Sequence, residues 1–235
     1  MPIVKPRVIL FDLESSNLNA EMGYILCGAY KVLGEKKVNS VAINQFKRYR
    51  KDPTNDIEVV KVMKKVLESA DILVGHYSTR FDLPLLQSKA LVHNLGALPR
   101  PPHVDTWRVS KYRLKLRFNS LANLSKFLKC ENKTVLHWDI WSKAQAMDGN
   151  SIKYVIDHCI QDVIVLEDVY NKLLPIIDTH PSMAILRGGS KHDCNTCGSS
   201  NVQRRGRHVA LKTIKQRFQC KDCGSWFTGP TLKIS

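Results

Sequence analysis

The sequence predicts a mixed α/β fold, a central sheet flanked by helices, followed by a small module built on four cysteines. Three observations lead to that reading. Apolar runs of strand length alternate with segments of helical period as far as Leu174. Pro175, Pro181 and the Gly188–Gly189–Ser190 stretch then break the pattern. Two Cys-x-x-Cys pairs close the chain. The expected division is therefore a domain over residues 1–178, a linker over 179–190 and a cysteine module over 191–235. A chain of 235 residues has room for one domain of ordinary size and a small appendage.

Each element has its own signal. Val8–Leu13 is a short apolar run ending in acidic residues, the pattern of a buried strand. Gly23–Leu33 and Val38–Ile43 read as two further strands, an antiparallel meander with the first. From Asn55 to Ala70, Ile57, Val60, Met63, Val66 and Leu67 recur at helical spacing. Asp56 and Glu58 lie in the first turn of that segment and Lys64 and Lys65 lie later, as a helix dipole prefers. Ile72–Val74 is a short strand and Asp82–Val92 a helix, with Pro84 in its opening turn. Val104 centres another strand. Beyond Asn119 the pattern is helical, with one stripe of Leu121, Leu124, Phe127 and Leu128 and a long one over Ile152–Leu174.

The composition is that of a globular protein, 43% hydrophobic and 24% charged, but the formal net charge is +15. A surplus of that size favours polyanionic partners, although a basic surface can also serve solubility alone. The opening MPIVKPRVIL has too short an apolar run for a secretory signal, and no run reaches the roughly 18 apolar residues of a membrane span. The expected setting is a reducing cytoplasm, with no membrane partner. Cysteine usage agrees: four of the seven cluster in pairs, while Cys27, Cys130 and Cys159 are scattered.

Four acidic residues, in three segments, stand out. Asp12 and Glu14 are two apart at the end of a strand, so alternation places both carboxylates on one face. Two like charges there need a positive partner, and Mg²⁺ or Mn²⁺ with their preference for oxygen would supply it. A solvated strand end is the plain alternative. Asp82 follows an apolar strand and the loop GHYSTRF, just before a proline that starts a helix; it is either a site residue or a helix cap. Asp162 lies beside an apolar helical stripe, where an aspartate is costly unless paired or bound to metal. His158, one turn earlier, shares its helical face.

The segments FDLE, GHYSTRFDLPLL and HCIQDV occur in the order and approximate spacing of the three motifs of the DEDD (DnaQ-like) 3′→5′ exonuclease superfamily. HVDTWRVSKYRL and FNSLANLSKFL between them also resemble that family, in which a strand-borne Asp-Thr is followed by a helix beginning Ser-Leu. The resemblance spans about residues 7–175 and is to small phage and bacterial proteins, which places the expected cytoplasm in a bacterium or a phage-infected host. It implies an RNase H-like fold in which Asp12, Glu14, Asp82 and Asp162 hold two divalent ions, Mg²⁺ or Mn²⁺. Those ions would activate a water and stabilise the leaving 3′ oxygen, releasing a nucleoside 5′-monophosphate. The chain departs from the family at one position. Relatives carry a tyrosine four residues before the last aspartate or a histidine five before it; here His158 stands at the tyrosine spacing and Asp157 at the other. His158 can orient or deprotonate the attacking water, or lie on the helix surface with Tyr154 taking part instead.

Cys194-x-x-Cys197 and Cys220-x-x-Cys223 are each followed by glycine, which suits turns whose amides point at thiolates around one structural Zn²⁺. The intervening segment reads as a hairpin, and the module resembles the zinc ribbons of transposases and other DNA-acting phage proteins. Four cysteines complete such a site, leaving His192 and His208 in solvent. From Arg187 to Ser235 there are ten Lys or Arg against two Asp or Glu. Arg204, Arg205, Arg207, Lys212, Lys215 and Arg217, interleaved with Phe218, Trp226 and Phe227, suit contact with phosphates and stacking on bases. Docking of a protein through the aromatics is the other possibility. Lys47–Lys51 and Arg108–Arg117 add further basic stretches.

The expected function is thus metal-dependent 3′→5′ exonucleolytic hydrolysis of nucleic acid, with DNA favoured over RNA through the ribbon's resemblance. A structure-specific endonuclease of RNase H-like fold and a catalytically degenerate DNA-binding accessory protein are the alternatives.

Overall fold

The computed structural model describes residues 5–130 and 137–232. The first four residues and the last three, which the sequence assigns to the two ends of the domain division, lie outside them, as do residues 131–136.

Five strands form the main sheet: β1 (Val8–Ser15), β2 (Ile25–Val32), β3 (Val38–Ala42), β4 (Ile72–Gly75) and β5 (His103–Asp105), in the order β3-β2-β1-β4-β5. The expected meander is present, since β1 pairs antiparallel with β2 and β2 with β3. The chain then crosses over through α1 (Ile57–Glu68) to β4, which lies parallel to β1, and β5 lies parallel to β4. A crossover of that kind needs a helix to span the sheet.

The two faces of β1 set up everything that follows. Leu13 is paired with Gly28, and a Cβ at Gly28 would come within 2.8 Å of Met63 Sδ and 2.9 Å of Leu13. That face is covered by α1, whose Val59, Val60, Met63, Val66 and Leu67 are buried. Asp12 and Glu14 point to the other face, opposite Ala29 and Cys27. This face is crossed by α6 (Gly149–Leu173), which buries Val155, Cys159, Val163, Leu166 and Tyr170. The result is a sheet with helices on both sides.

The sequence pattern missed one helix here and left a second undelimited within the stretch read as helical beyond Asn119. α3 (Thr106–Arg113) follows β5, and α5 (Trp138–Gln145) precedes α6. Both are eight residues long; α3 is largely polar, and α5, although it carries Trp138, Ile140, Trp141 and Ala144, is too short for its period to stand apart from the helical segments around it. α2 (Asp82–Val92) and α4 (Leu121–Leu128) occur where their stripes place them.

The C-terminal module is a three-stranded antiparallel sheet, β6 (Val202–Val209), β7 (Ile214–Cys220) and β8 (Trp226–Thr231). The expected hairpin is β6–β7, and β8 adds a strand containing Gly229 and Pro230. Proline is tolerated because β8 is an edge strand. Residues 179–190 include a short helix, α7 (Met183–Leu186), with Met183 and Ala184 buried. The main-chain N–H of Met183 donates to Asn195 O at 2.7 Å, and the Tyr170 hydroxyl lies 2.7 Å from His180 Nε2. Among the described residues, no helix is long and apolar enough to cross a membrane.

Candidate active site

Alternation along β1 leaves Phe11 and Leu13 buried and Asp12 and Glu14 half-buried on the face crossed by α6. On α6, His158 and Asp162 are one turn apart and 5% and 4% exposed, so both point inward. His158 Nε2 lies 3.7 Å from Glu14 Oε1 and 3.8 Å from Asp162 Oδ2. Ligand atoms of Glu14, His158 and Asp162 all lie within 4.8 Å of one another, a group able to hold a metal ion. The buried thiol of Cys159 lies 3.5 Å from both the main-chain oxygen and the Oδ2 of Asp12, so α6 also touches the first acidic residue.

Asp82 arrives from a different element. It is the first residue of α2, and its carboxylate accepts the main-chain N–H of Leu13 at 3.1 Å. The third acid is therefore tied to the backbone between the first two. The residue preceding α2 is Phe81, so Asp82 does not cap the helix as the plain alternative would have it. Its carboxyl is 4% exposed and its pKa is pushed up to about 7. Burial is the main cause; its own N–H and that of Leu13 pull the other way, and the charge of Asp105 pushes up again.

The loop from Gly75 to Asp82 is held by Asp105, at the end of β5. Asp105 Oδ1 accepts from the N–H of Tyr77 at 2.9 Å and of Trp107 at 3.0 Å; Oδ2 accepts from Thr79 N at 3.0 Å and Thr79 Oγ1 at 2.5 Å. The same carboxylate thus caps α3 and pins the loop. It also offsets a strained residue, because Tyr77 has φ of 62°, a left-handed conformation costing a non-glycine residue about 1–3 kcal/mol. Asp105 entered the sequence reading only as the strand-borne Asp-Thr of the resemblance, with no role of its own. Its signal was an aspartate just before a helical segment, which marks an N-cap.

The neighbours of His158 resolve differently. Asp157, at the position where some relatives of the resembled family carry histidine, pairs with Lys153 at 2.9 Å on the exposed side of α6. Tyr154 is 37% exposed, a turn before His158. Beside the Glu14 end of β1, Ser15–Asn19 with Trp138 and Trp141 of α5 line a pocket of about 580 Å³.

The second cluster is the four cysteines. Cys194 and Cys223 sulfurs are 3.6 Å apart, as are those of Cys197 and Cys220, and all four lie within 4.8 Å. A tetrahedral zinc site with Zn–S of about 2.3 Å places its sulfurs about 3.8 Å apart. The arrangement can hold a zinc ion. Gly198 and Gly224 follow the two pairs at φ of 74° and 77°, the turn conformation that glycine adopts freely. Without a cation the thiols cannot all ionise together. Cys194 is held low by the Cys223 thiol, while Cys223 is pushed up by sharing its hydrogen bond with Cys194.

The residues expected to meet nucleic acid divide over the ribbon. Arg204, Arg205, Arg207, Lys212 and Arg217 are exposed and Lys215 is half-buried. Phe227 stacks on buried Phe218, with ring centres 5.4 Å apart, so its ring serves the ribbon's own small core. Trp226 is 49% exposed. His208 is exposed as expected, whereas His192 packs against Phe218 at 5.8 Å.

A family model described as the RNase H superfamily matches residues 9–174. No curated protein matches the chain. Among solved structures, a family B DNA polymerase from the hyperthermophilic archaeon Pyrobaculum calidifontis is similar, with a TM-score of 0.55 and 14% identity. The match covers 88% of this chain but 31% of the polymerase, so this chain spans about a third of that protein's length. At that identity the likeness is one of fold, and the fold is the RNase H-like mixed sheet flanked by helices.

Proposed function

We propose that this chain, which belongs to the RNase H superfamily, is a metal-dependent 3′→5′ exonuclease acting on nucleic acid, with DNA favoured. Superfamily membership supports hydrolysis of phosphodiester bonds. In this reading residues 1–178 form the catalytic domain, 179–190 the connection and 191–235 a zinc ribbon that helps hold the substrate.

The observation that carries it is the meeting of Glu14, His158 and Asp162 within 4.8 Å, with Asp82 bonded to the backbone between Asp12 and Glu14. The residues fit hard divalent cations: carboxylate oxygens of Glu14 on β1 and Asp162 on α6 converge, Asp82 joins from α2 through the backbone of Leu13, and burial raises the Asp82 pKa, so a nearby cation would favour its ionised form. Asp12, Glu14, Asp82 and Asp162 would hold Mg²⁺ or Mn²⁺, which would supply Lewis acidity to a water and offset charge on the phosphate and the leaving oxygen. His158 is placed between Glu14 and Asp162, where its ring can orient the attacking water and accept its proton. Asp105 acts at one remove, by fixing the loop that delivers Asp82.

A single strand labelled at its 5′ end, incubated with Mg²⁺ or Mn²⁺, tests the reading. Stepwise shortening from the 3′ end supports it. Internal cuts would point to an endonuclease, and binding without cleavage to an accessory protein. Asp12→Ala and Asp162→Ala should each lower the rate by about 100-fold or more, the scale of losing a charge-stabilising group, with fold and binding retained.

A further inference from the structure

The basic residues of the ribbon are spread through its sequence, but strand register sorts them onto two faces. Directly paired residues share a face, and neighbours along a strand alternate. Phe218 pairs with Arg204 and with Phe227, and Gln216 with Arg207. That face carries Phe218, Phe227 and Cys220 and looks onto the ribbon's core. On the other face Gln219 pairs with Gln203 and Trp226, Arg217 with Thr228, and Lys215 with His208 and Thr231. Arg205 sits in the bulge between Arg204 and Arg207 and joins this second face through its Nε bond to Gln219 Oε1 at 3.2 Å.

The outer face therefore collects Arg205, His208, Lys215, Arg217 and Trp226 among neutral Gln and Thr side chains. No acidic residue occurs from Val202 to Gln219. Its centre is already ordered. Arg217 donates from Nε to the main-chain oxygen of Arg205 at 2.9 Å, and its guanidinium lies 5.2 Å from the Trp226 ring centre. An arginine held on a half-exposed tryptophan gives a preformed planar surface, with little side-chain entropy left to lose on binding.

We propose that this face binds single-stranded DNA, with a base stacked at the Arg217–Trp226 pair and phosphates along Arg205 and Lys215. The inference rests on the nuclease reading only in taking the strand to be the one the catalytic domain digests. Charge alone would accept any nucleic acid. The aromatic ring decides for single strands, because their bases offer free faces for stacking and those of a duplex do not.

The test uses the full zinc-loaded chain and fluorescein-labelled oligo(dT), read by anisotropy in EDTA-free buffer without Mg²⁺ or Mn²⁺, so that binding is measured apart from cleavage. Two double variants remove the same charge from opposite faces: Arg205→Ala with Arg217→Ala, and Arg204→Ala with Arg207→Ala. The outer-face pair should weaken binding about tenfold more than the inner-face pair, and Trp226→Ala should weaken it about 5- to 100-fold, the range for one stacked base. Trp226→Phe, which keeps a ring, should restore most of the affinity and shows whether loss in the alanine variant is more than misfolding. Equal loss from the two double variants would overturn the proposal. So would tighter binding to duplex DNA, or to oligo(rU), than to oligo(dT). Absence of nuclease activity in a protein that still shows the face-dependent binding would overturn the catalytic reading instead.

Discussion

Asp82 would link the proposed metal binding to pH. With a folded pKa of about 7 against 3.8 for the free group, it binds more protons folded than unfolded between those values. Its contribution to stability is complete below pH 3.8 and is lost as pH rises through about 7 in metal-free protein. A cation needs the ionised form, so binding must release that proton. Calorimetric titration with Mn²⁺ should show affinity rising from pH 6 to 8, with proton release at the lower end; affinity independent of pH would contradict this role. Asp82→Asn keeps an acceptor for Leu13 N without the charge. The metal-free variant should be more stable than the parent at pH 8, with Tm higher by about 2–4 °C for each 1 kcal/mol regained, while activity is lost. At this scale much was legible beforehand. Asp12 and Glu14 follow from alternation and Asp162 from its apolar surroundings. The inward aim of His158 was left open, because one helical turn holds both His158 and exposed Tyr154 near the same stripe.

At the scale of elements, the site depends on a loop and not only on strands and helices. Asp105 binds the loop that carries Tyr77 and Thr79 and caps α3 with the same carboxylate. Asp105→Ala should therefore cost about 1 kcal/mol for the part-buried loop donors left unpaired and about 1 kcal/mol for the lost cap. Urea unfolding measures that loss, and a stability unchanged from the parent would show that the loop holds itself. Activity should fall with it, since Asp82 follows the loop. The main strands and the long helix were legible because burial on one or both faces imposes a period. α3 was not, being short and polar, and α5 was too short to be delimited within the helical stretch beyond Asn119. β8 was hidden by Gly229 and Pro230, residues that argue against a strand unless it lies at an edge. Asp105 had a local signal for its cap, but its hold on the loop rests on N–H groups distant in sequence, which no local pattern reveals.

For the whole molecule, the net charge of +15 is divided unequally, with the segment from Arg187 onward holding ten basic and two acidic residues. Such a surplus makes association with nucleic acid depend steeply on salt. Removing zinc with a chelator, or replacing Cys194 and Cys197 by serine, should unfold the ribbon, flatten that salt dependence and weaken binding. The five-stranded sheet should keep its own cooperative unfolding transition, because its core is built without Cys194, Cys197, Cys220 and Cys223. Loss of both transitions together would mean that the contacts through Tyr170, His180 and Met183 make one folding unit of the two parts. The central claim concerns the other cluster: acids distant in sequence are brought together to hold divalent cations. Anomalous diffraction from a crystal soaked in Mn²⁺ tests it most directly. Two peaks enclosed by Asp12, Glu14, Asp82 and Asp162 are predicted, disappearing in Asp162→Ala; a map with no peak among those carboxylates would contradict the account.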